Sequence, residues 1–139
     1  MYEYGCKITR VVDGDTVDAD IDLGFNIKFQ SRIRLYGIDT PESRTRNLDE
    51  KARGKLASKF LEDSIQKASS VKVKTKLDKK GKFGRVLGSI VADDVDLNQA
   101  MIDKNLAVKY FGQSKEDIES EHLINRQKLI DLGLFNPNE

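Results

Sequence analysis

Residues 13–23 constrain the fold of this chain more than any other stretch. Asp13-Gly14-Asp15-Thr16 is a tight-turn tetrapeptide, after which Val17, Ala19, Ile21 and Leu23 alternate with Asp18, Asp20 and Asp22. A period of two cannot serve a helix, whose side chains return to one face every three or four residues. It describes a strand with one face in a core and an acidic face in water. Residues 8–12, before the turn, are also rich in β-formers, and Asp-Gly between two such runs predicts a hairpin.

The rest of the chain is punctuated as clearly. Residues 27–38 continue as a strand region, with Gly37 a bulge or a point of close approach. Pro41 ends it, and residues 43–47 are polar and loop-like. Ala52, Leu56, Ala57, Phe60, Leu61 and Ile65 then share one face of a helix. Strands are expected over 71–77, with Lys72, Lys74 and Lys76 outward, and over 85–92. A Gly- and Lys-rich turn joins them. Asp96 and Ser114 are N-cap candidates for a short helix and for a last one ending at Gly133. This order defines an α+β chain, a small Greek-key barrel with helices packed on it, in a single domain over 1–139.

Composition narrows the function. The chain has 139 residues, enough for one ordinary domain. Twenty-four basic and 23 acidic residues leave a net charge of +1, which excludes a polycation that binds DNA by bulk charge. One Cys (Cys6) and one His (His122) exclude an internal disulfide and a structural zinc site. No stretch is long and apolar enough to span a bilayer. The start, Met1-Tyr2-Glu3-Tyr4-Gly5, has no signal-peptide pattern. A soluble cytoplasmic monomer is expected, with export or origin in a mobile genetic element left open.

The residues that can do chemistry fall in three places. In Arg34-Leu35-Tyr36-Gly37-Ile38-Asp39-Thr40-Pro41-Glu42, Pro41 lacks an N–H and biases Thr40 toward extended geometry. This frees a Thr40 carbonyl beside two carboxylates, a hard-oxygen set suited to Ca²⁺ or Mg²⁺. A strand end with solvated acids accounts for the segment equally well. Asp15, held in the first turn, is placed to meet a second carboxylate, whereas Asp18, Asp20 and Asp22 belong to a solvated face. In the basic run of residues 72–85, the lysines suit a solvated surface, but Arg85 re-enters a strand and can be aimed. Phosphodiester hydrolysis needs such parts: cationic groups to offset charge on phosphorus and a carboxylate to orient or deprotonate water. A guanidinium fork fits phosphate oxygens.

In order and approximate spacing, the segment from Val12 to Val17, the segment from Arg34 to Glu42, then Phe83-Gly84-Arg85 and Asn105-Leu106-Ala107 resemble the thermonuclease (staphylococcal nuclease-like) family. The resemblance covers nearly the whole chain. It implies a five-stranded OB-fold Greek-key barrel with about three helices. It also implies a Ca²⁺-dependent endonuclease that acts on DNA and RNA and leaves 5′-hydroxyl and 3′-phosphate ends. By this resemblance Asp15 and Asp39 are metal-ligand carboxylates and Thr40 supplies a carbonyl. Arg34 and Arg85 bind phosphate, and Glu42 is the general base or the group that positions water.

The sequence also departs from the family. Phe83 replaces a usual tyrosine, leaving Lys82 to make an ionic contact to the nucleotide. Tyr110 or Phe111 could stack on a base, with core packing as the alternative and Phe111 expected to be the more buried. The loop after Glu42 is short. His122 is expected to pack or to lie on a helix surface rather than to act in catalysis. Arg34 and Asp39 are five residues apart, so strict alternation would put them on opposite faces, and an irregularity near Gly37 is required. The alternative to an enzyme is a catalytically inactive OB-fold nucleic-acid-binding module. Asp15, Arg34, Asp39, Glu42 and Arg85 are all present, which favours the enzyme. Two carboxylates and a carbonyl would hold Ca²⁺ weakly, at roughly 10⁻⁴–10⁻³ M.

Overall fold

The predicted hairpin forms the first wall of a closed barrel. In a computed structural model, which describes residues 2–76 and 85–137, strand β1 (Glu3–Asp13) turns through Gly14 and Asp15 into β2 (Thr16–Asp22). Strand β3 (Lys28–Leu35) follows, then the two-residue β4 (Ile38–Asp39) and helix α1 (Leu48–Lys67). Next come β5 (Val71–Lys76), β6 (Arg85–Ala92), β7 (Val95–Asp96), α2 (Leu97–Asp103), β8 (Val108–Lys109) and α3 (Lys115–Asp131).

Strands β3, β2, β1, β5 and β6 lie side by side, and β6 closes on β3 in parallel from Arg32↔Arg85 to Leu35↔Gly88. One strand must serve two neighbours to make this closure. β1 pairs with β2 along most of its length and with β5 through Glu3, Tyr4 and Gly5. Register shifts between Ile8 and Arg10 and between Val11 and Asp13 bend it, as bulges do. The result is the five-stranded OB-type barrel with three helices that the sequence implied.

Alternation fills the interior. Val17, Ala19 and Ile21 from β2 meet Ile33, Leu35, Val73 and Ile90 in the core, while Asp18, Asp20 and Asp22 face outward. Helix α1 begins at Asn47, whose side chain accepts from the Glu50 amide, with Asp49 and Glu50 favourably placed in the first turn. It buries Arg53, Gly54, Ala57 and Leu61. Leu61 is fully buried, and burying a leucine contributes about 2 kcal/mol. Asp96 and Ser114 cap α2 and α3 as expected, accepting from the Gln99 and Asp117 amides. Gly133 beyond α3 has the positive φ of a helix stop. No helix among the described residues is long and apolar enough to cross a membrane.

Candidate active site

Three segments converge where β1 turns into β2, where β3 ends, and where β4 leaves the barrel. Leu35 N donates to the Asp15 carbonyl at 2.8 Å, which ties the first turn to the end of β3. Asp15 then bridges onward: its Oδ1 accepts from Thr16 Oγ1 at 3.0 Å and its Oδ2 from the Thr40 amide at 3.3 Å. Arg34 lies between the two acids, with Nη2 3.5 Å from Asp15 Oδ2 and 3.9 Å from Asp39 Oδ1.

The irregularity near Gly37 is a turn rather than a bulge. β3 stops at Leu35, Tyr36 and Gly37 reverse the chain, and β4 resumes at Ile38. Gly37 has φ +76°, a conformation side-chain-bearing residues rarely adopt. The reversal cancels the alternation and puts the Arg34 and Asp39 side chains on one side. Asn98 holds it from below, donating to the Tyr36 carbonyl at 2.9 Å.

Arg34 is nearly committed within the protein. Nη1 donates to the carbonyls of Leu35 (2.8 Å) and Asp15 (3.3 Å), and Nη2 to that of Ile38 (2.8 Å). Its Nε–H has no partner among the described residues. The guanidinium is therefore a fixed charge as much as a phosphate fork.

Asp39, Thr40 and Glu42 lie with Arg34, Tyr110 and His122 along a groove of about 500 Å³, and Asp15 sits just behind it. Burial holds the Asp15 carboxyl above its ordinary range, only partly offset by the Arg34 charge. Glu42, at the exposed mouth, is also raised, first by partial desolvation and then by repulsion from Asp13, Asp15, Asp39 and Glu50. Thr40 is buried, and its Oγ1 has no hydrogen-bond partner among the described residues. Among the described residues no three His, Cys, Asp or Glu side chains converge tightly enough to ligate one ion by themselves. The donor chemistry of two carboxylates, Asp15 and Asp39, together with the Thr40 main-chain carbonyl, still fits a hard, partly hydrated divalent ion.

Lys82 and Phe83 lie outside the described residues, as does the side chain of Arg85, whose main chain opens β6. Tyr110 lines the groove and donates its amide to the Gly37 carbonyl at 2.8 Å. The expected order of burial at 110 and 111 is reversed. Phe111 is 70% exposed and packs edge-on against Tyr36, with ring centroids 6.2 Å apart, because it follows the end of the short β8 instead of lying on a barrel strand.

His122, expected to pack or to lie on a helix surface, does pack on α3 with its side chain 12% exposed, but the sequence did not reveal its partner. Its Nε2 lies 2.8 Å from Asp39 Oδ2, so it belongs to the site. Its partner lies 83 positions away and no local pattern encodes the pair. The face it shares with Ile118, Asn125 and Leu129 was the one available signal.

A closed five-stranded OB-type barrel with acids and an arginine gathered at one rim defines the class of protein by its architecture. The chain belongs to the family of staphylococcal nuclease homologues, whose model matches residues 32–129. It is 32% identical over 100 residues to the thermonuclease of Staphylococcus intermedius and 32% identical over 103 residues to that of Staphylococcus hyicus. These matches cover 72% and 73% of this chain and 56% of each relative. Endonuclease YhcR of Bacillus subtilis (strain 168) is 27% identical over 147 residues, covering 99% of this chain and 12% of the relative. The chain thus spans little more than half the length of the thermonucleases and a small part of YhcR.

Proposed function

We propose that this chain is an endonuclease that hydrolyses phosphodiester bonds of DNA and RNA with Ca²⁺ bound, leaving 5′-hydroxyl and 3′-phosphate ends. The observation that carries it is that Arg34, Asp39, Thr40 and Glu42 line one groove while Asp15, from a segment far away in sequence, bonds to Thr40 and pairs with Arg34. Family membership and relatives named as nucleases support it.

Asp15, Asp39 and the Thr40 carbonyl would hold the ion. When bound, it supplies Lewis-acid stabilisation of a phosphoryl oxygen. The fixed charge of Arg34 offsets negative charge that grows on the phosphorus centre, in a geometry set before reaction. Arg85 takes the second phosphate contact by resemblance, with Lys82 and Phe83 toward the nucleotide. Glu42, exposed at the groove and with raised proton affinity, orients an attacking water or accepts its proton. Tyr110 offers a ring on which a base can stack, an interaction tolerant of sequence.

The test is incubation of plasmid and single-stranded DNA and RNA with Ca²⁺, Mg²⁺ or EDTA. Cleavage with Ca²⁺ and none with chelator is expected. Asp39→Ala and Arg34→Lys are each expected to lower the rate by about 10²-fold or more while the fold survives. DNA that is bound yet left intact with every metal would make this chain a binding module.

A further inference from the structure

We propose that His122 is a positioning residue that sets the affinity of the site for its divalent cation by fixing the rotamer of Asp39. The proposal rests on the metal-dependent site described above and adds a residue to it. A carboxylate oxygen only accepts, so Nε2 carries the proton and donates to Asp39 Oδ2 across 2.8 Å. That bond occupies one oxygen and leaves Oδ1 on the side of Arg34 and Asp15. A ligand carboxylate held this way does not spend rotamer entropy each time an ion enters.

His122 cannot itself reach substrate with either nitrogen. Nε2 is taken by Asp39, and Nδ1 is buried without a partner among the described residues. The side chain is only 12% exposed although it borders the groove. A proton shuttle needs a nitrogen open to the reacting atoms, and neither one is.

The helix behind it is anchored. On the same face of α3, Asn125 Nδ2 donates to the Ala107 carbonyl at 3.1 Å and Arg126 pairs with Asp49 at 2.9 Å. Val108, next to Ala107, pairs with Asp39 across β4 and β8. Helix, short strand and carboxylate therefore form one closed loop of contacts, and His122 is the member that touches the ligand.

The experiment is calorimetric titration of Ca²⁺ into the folded protein without nucleic acid, for the wild type and for His122→Ala, His122→Gln and Asn125→Ala. Losing the group that hydrogen-bonds a metal-ligating side chain weakens metal binding by about 10–100-fold, so His122→Ala is expected to bind Ca²⁺ at least about tenfold more weakly. The glutamine amide keeps an N–H near the position of Nε2 and is expected to restore affinity to within about threefold. Asn125→Ala removes an anchor of α3 but leaves the bond to Asp39 in place; it is expected to lower the melting temperature and to weaken Ca²⁺ binding clearly less than His122→Ala does. Wild-type affinity in a folded His122→Ala protein overturns the proposal, as does a His122→Gln protein as weak as His122→Ala. A wild type that takes up no Ca²⁺ overturns both this proposal and the metal-dependent nuclease. One that takes up Ca²⁺ with the predicted ranking of variants yet cleaves nothing upholds the role of His122 and removes only the nuclease.

Discussion

A Cβ built on Gly54 would lie 2.6 Å from the Pro41 carbonyl oxygen and 2.7 Å from the Glu42 carbonyl carbon. Helix α1 therefore meets the main chain of the site at a residue with no side chain, besides the Glu50 carboxylate that accepts from the Glu42 amide at 3.4 Å. No flexible group is available to give way, so Gly54→Ala must move either the helix or the segment carrying Thr40 and Glu42. Displacing reacting groups by about 1 Å costs on the order of 10²-fold in rate. Cleavage is expected to fall by about that factor, and a large loss of rate with a small loss of melting temperature would show that the helix sets the site.

Asn98 links the turn after β3 to strand β6. Its side chain accepts from the Ile90 amide at 3.2 Å and donates to the carbonyls of Tyr36 and Gly88 at 2.9 and 3.3 Å. It is buried, so truncation leaves main-chain groups without partners and without water. Each such group costs about 1–3 kcal/mol. Asn98→Ala is expected to lose about 2–4 kcal/mol in urea unfolding, and a loss below about 1 kcal/mol would mean that water replaces the amide.

Asp49 joins helices α1 and α3. It accepts from Arg53 on its own helix at 2.9 Å and from Arg126 on α3 at 3.0 Å. The Arg126 hydrogen bond, then that of Arg53, holds its carboxyl below the ordinary range. Stability from a depressed acid is present above the unfolded pKa and is lost as pH falls through the folded one. Asp49→Asn is therefore expected to destabilise at neutral pH and to narrow its gap to the wild type in acid. Solvent reaches the pair, so a loss of about 1 kcal/mol is expected, read from urea melts at neutral and acid pH.

What the sequence revealed and what it concealed divide by range. The alternation of Val17, Ala19 and Ile21, the caps at Asp96 and Ser114 and the stop at Gly133 are local signals, and each stands in the structure. Arg34, Asp39 and Glu42 were legible because one reversal carries all three. The buried face of α1 was half legible: Ala57 and Leu61 follow from spacing, but Arg53 and Gly54 at its centre do not. Arg53 is buried because Asp49 pairs with it, and Gly54 because Pro41 and Glu42 rest on it. His122 is the extreme case, since only folding brings it to Asp39. β7 and β8, two residues each, are too short to leave a pattern.

The acids of the site carry a cost that a cation can remove. Asp15 is raised by burial, and Glu42 by partial burial and by four neighbouring carboxylates. An acid whose folded pKa lies above its unfolded value favours the fold when protonated, and that advantage disappears as pH rises through the two values. At neutral pH the metal-free protein is thus held below its attainable stability by the charges of Asp15 and Glu42. Glu42→Gln removes one charge without removing bulk. It is expected to raise the melting temperature of the chelated protein by about 1–2 °C, a small gain because Glu42 is exposed and screened. The same substitution is expected to lower cleavage by about 10²-fold or more. In the wild type, Ca²⁺ is expected to raise the melting temperature at neutral pH and to lose this effect as acid protonates Asp15 and Glu42. Thermal melts of both proteins, with Ca²⁺ and with EDTA across pH, decide the matter: a chelated Glu42→Gln protein less stable than the wild type would mean that the Glu42 carboxylate supports the fold instead of straining it.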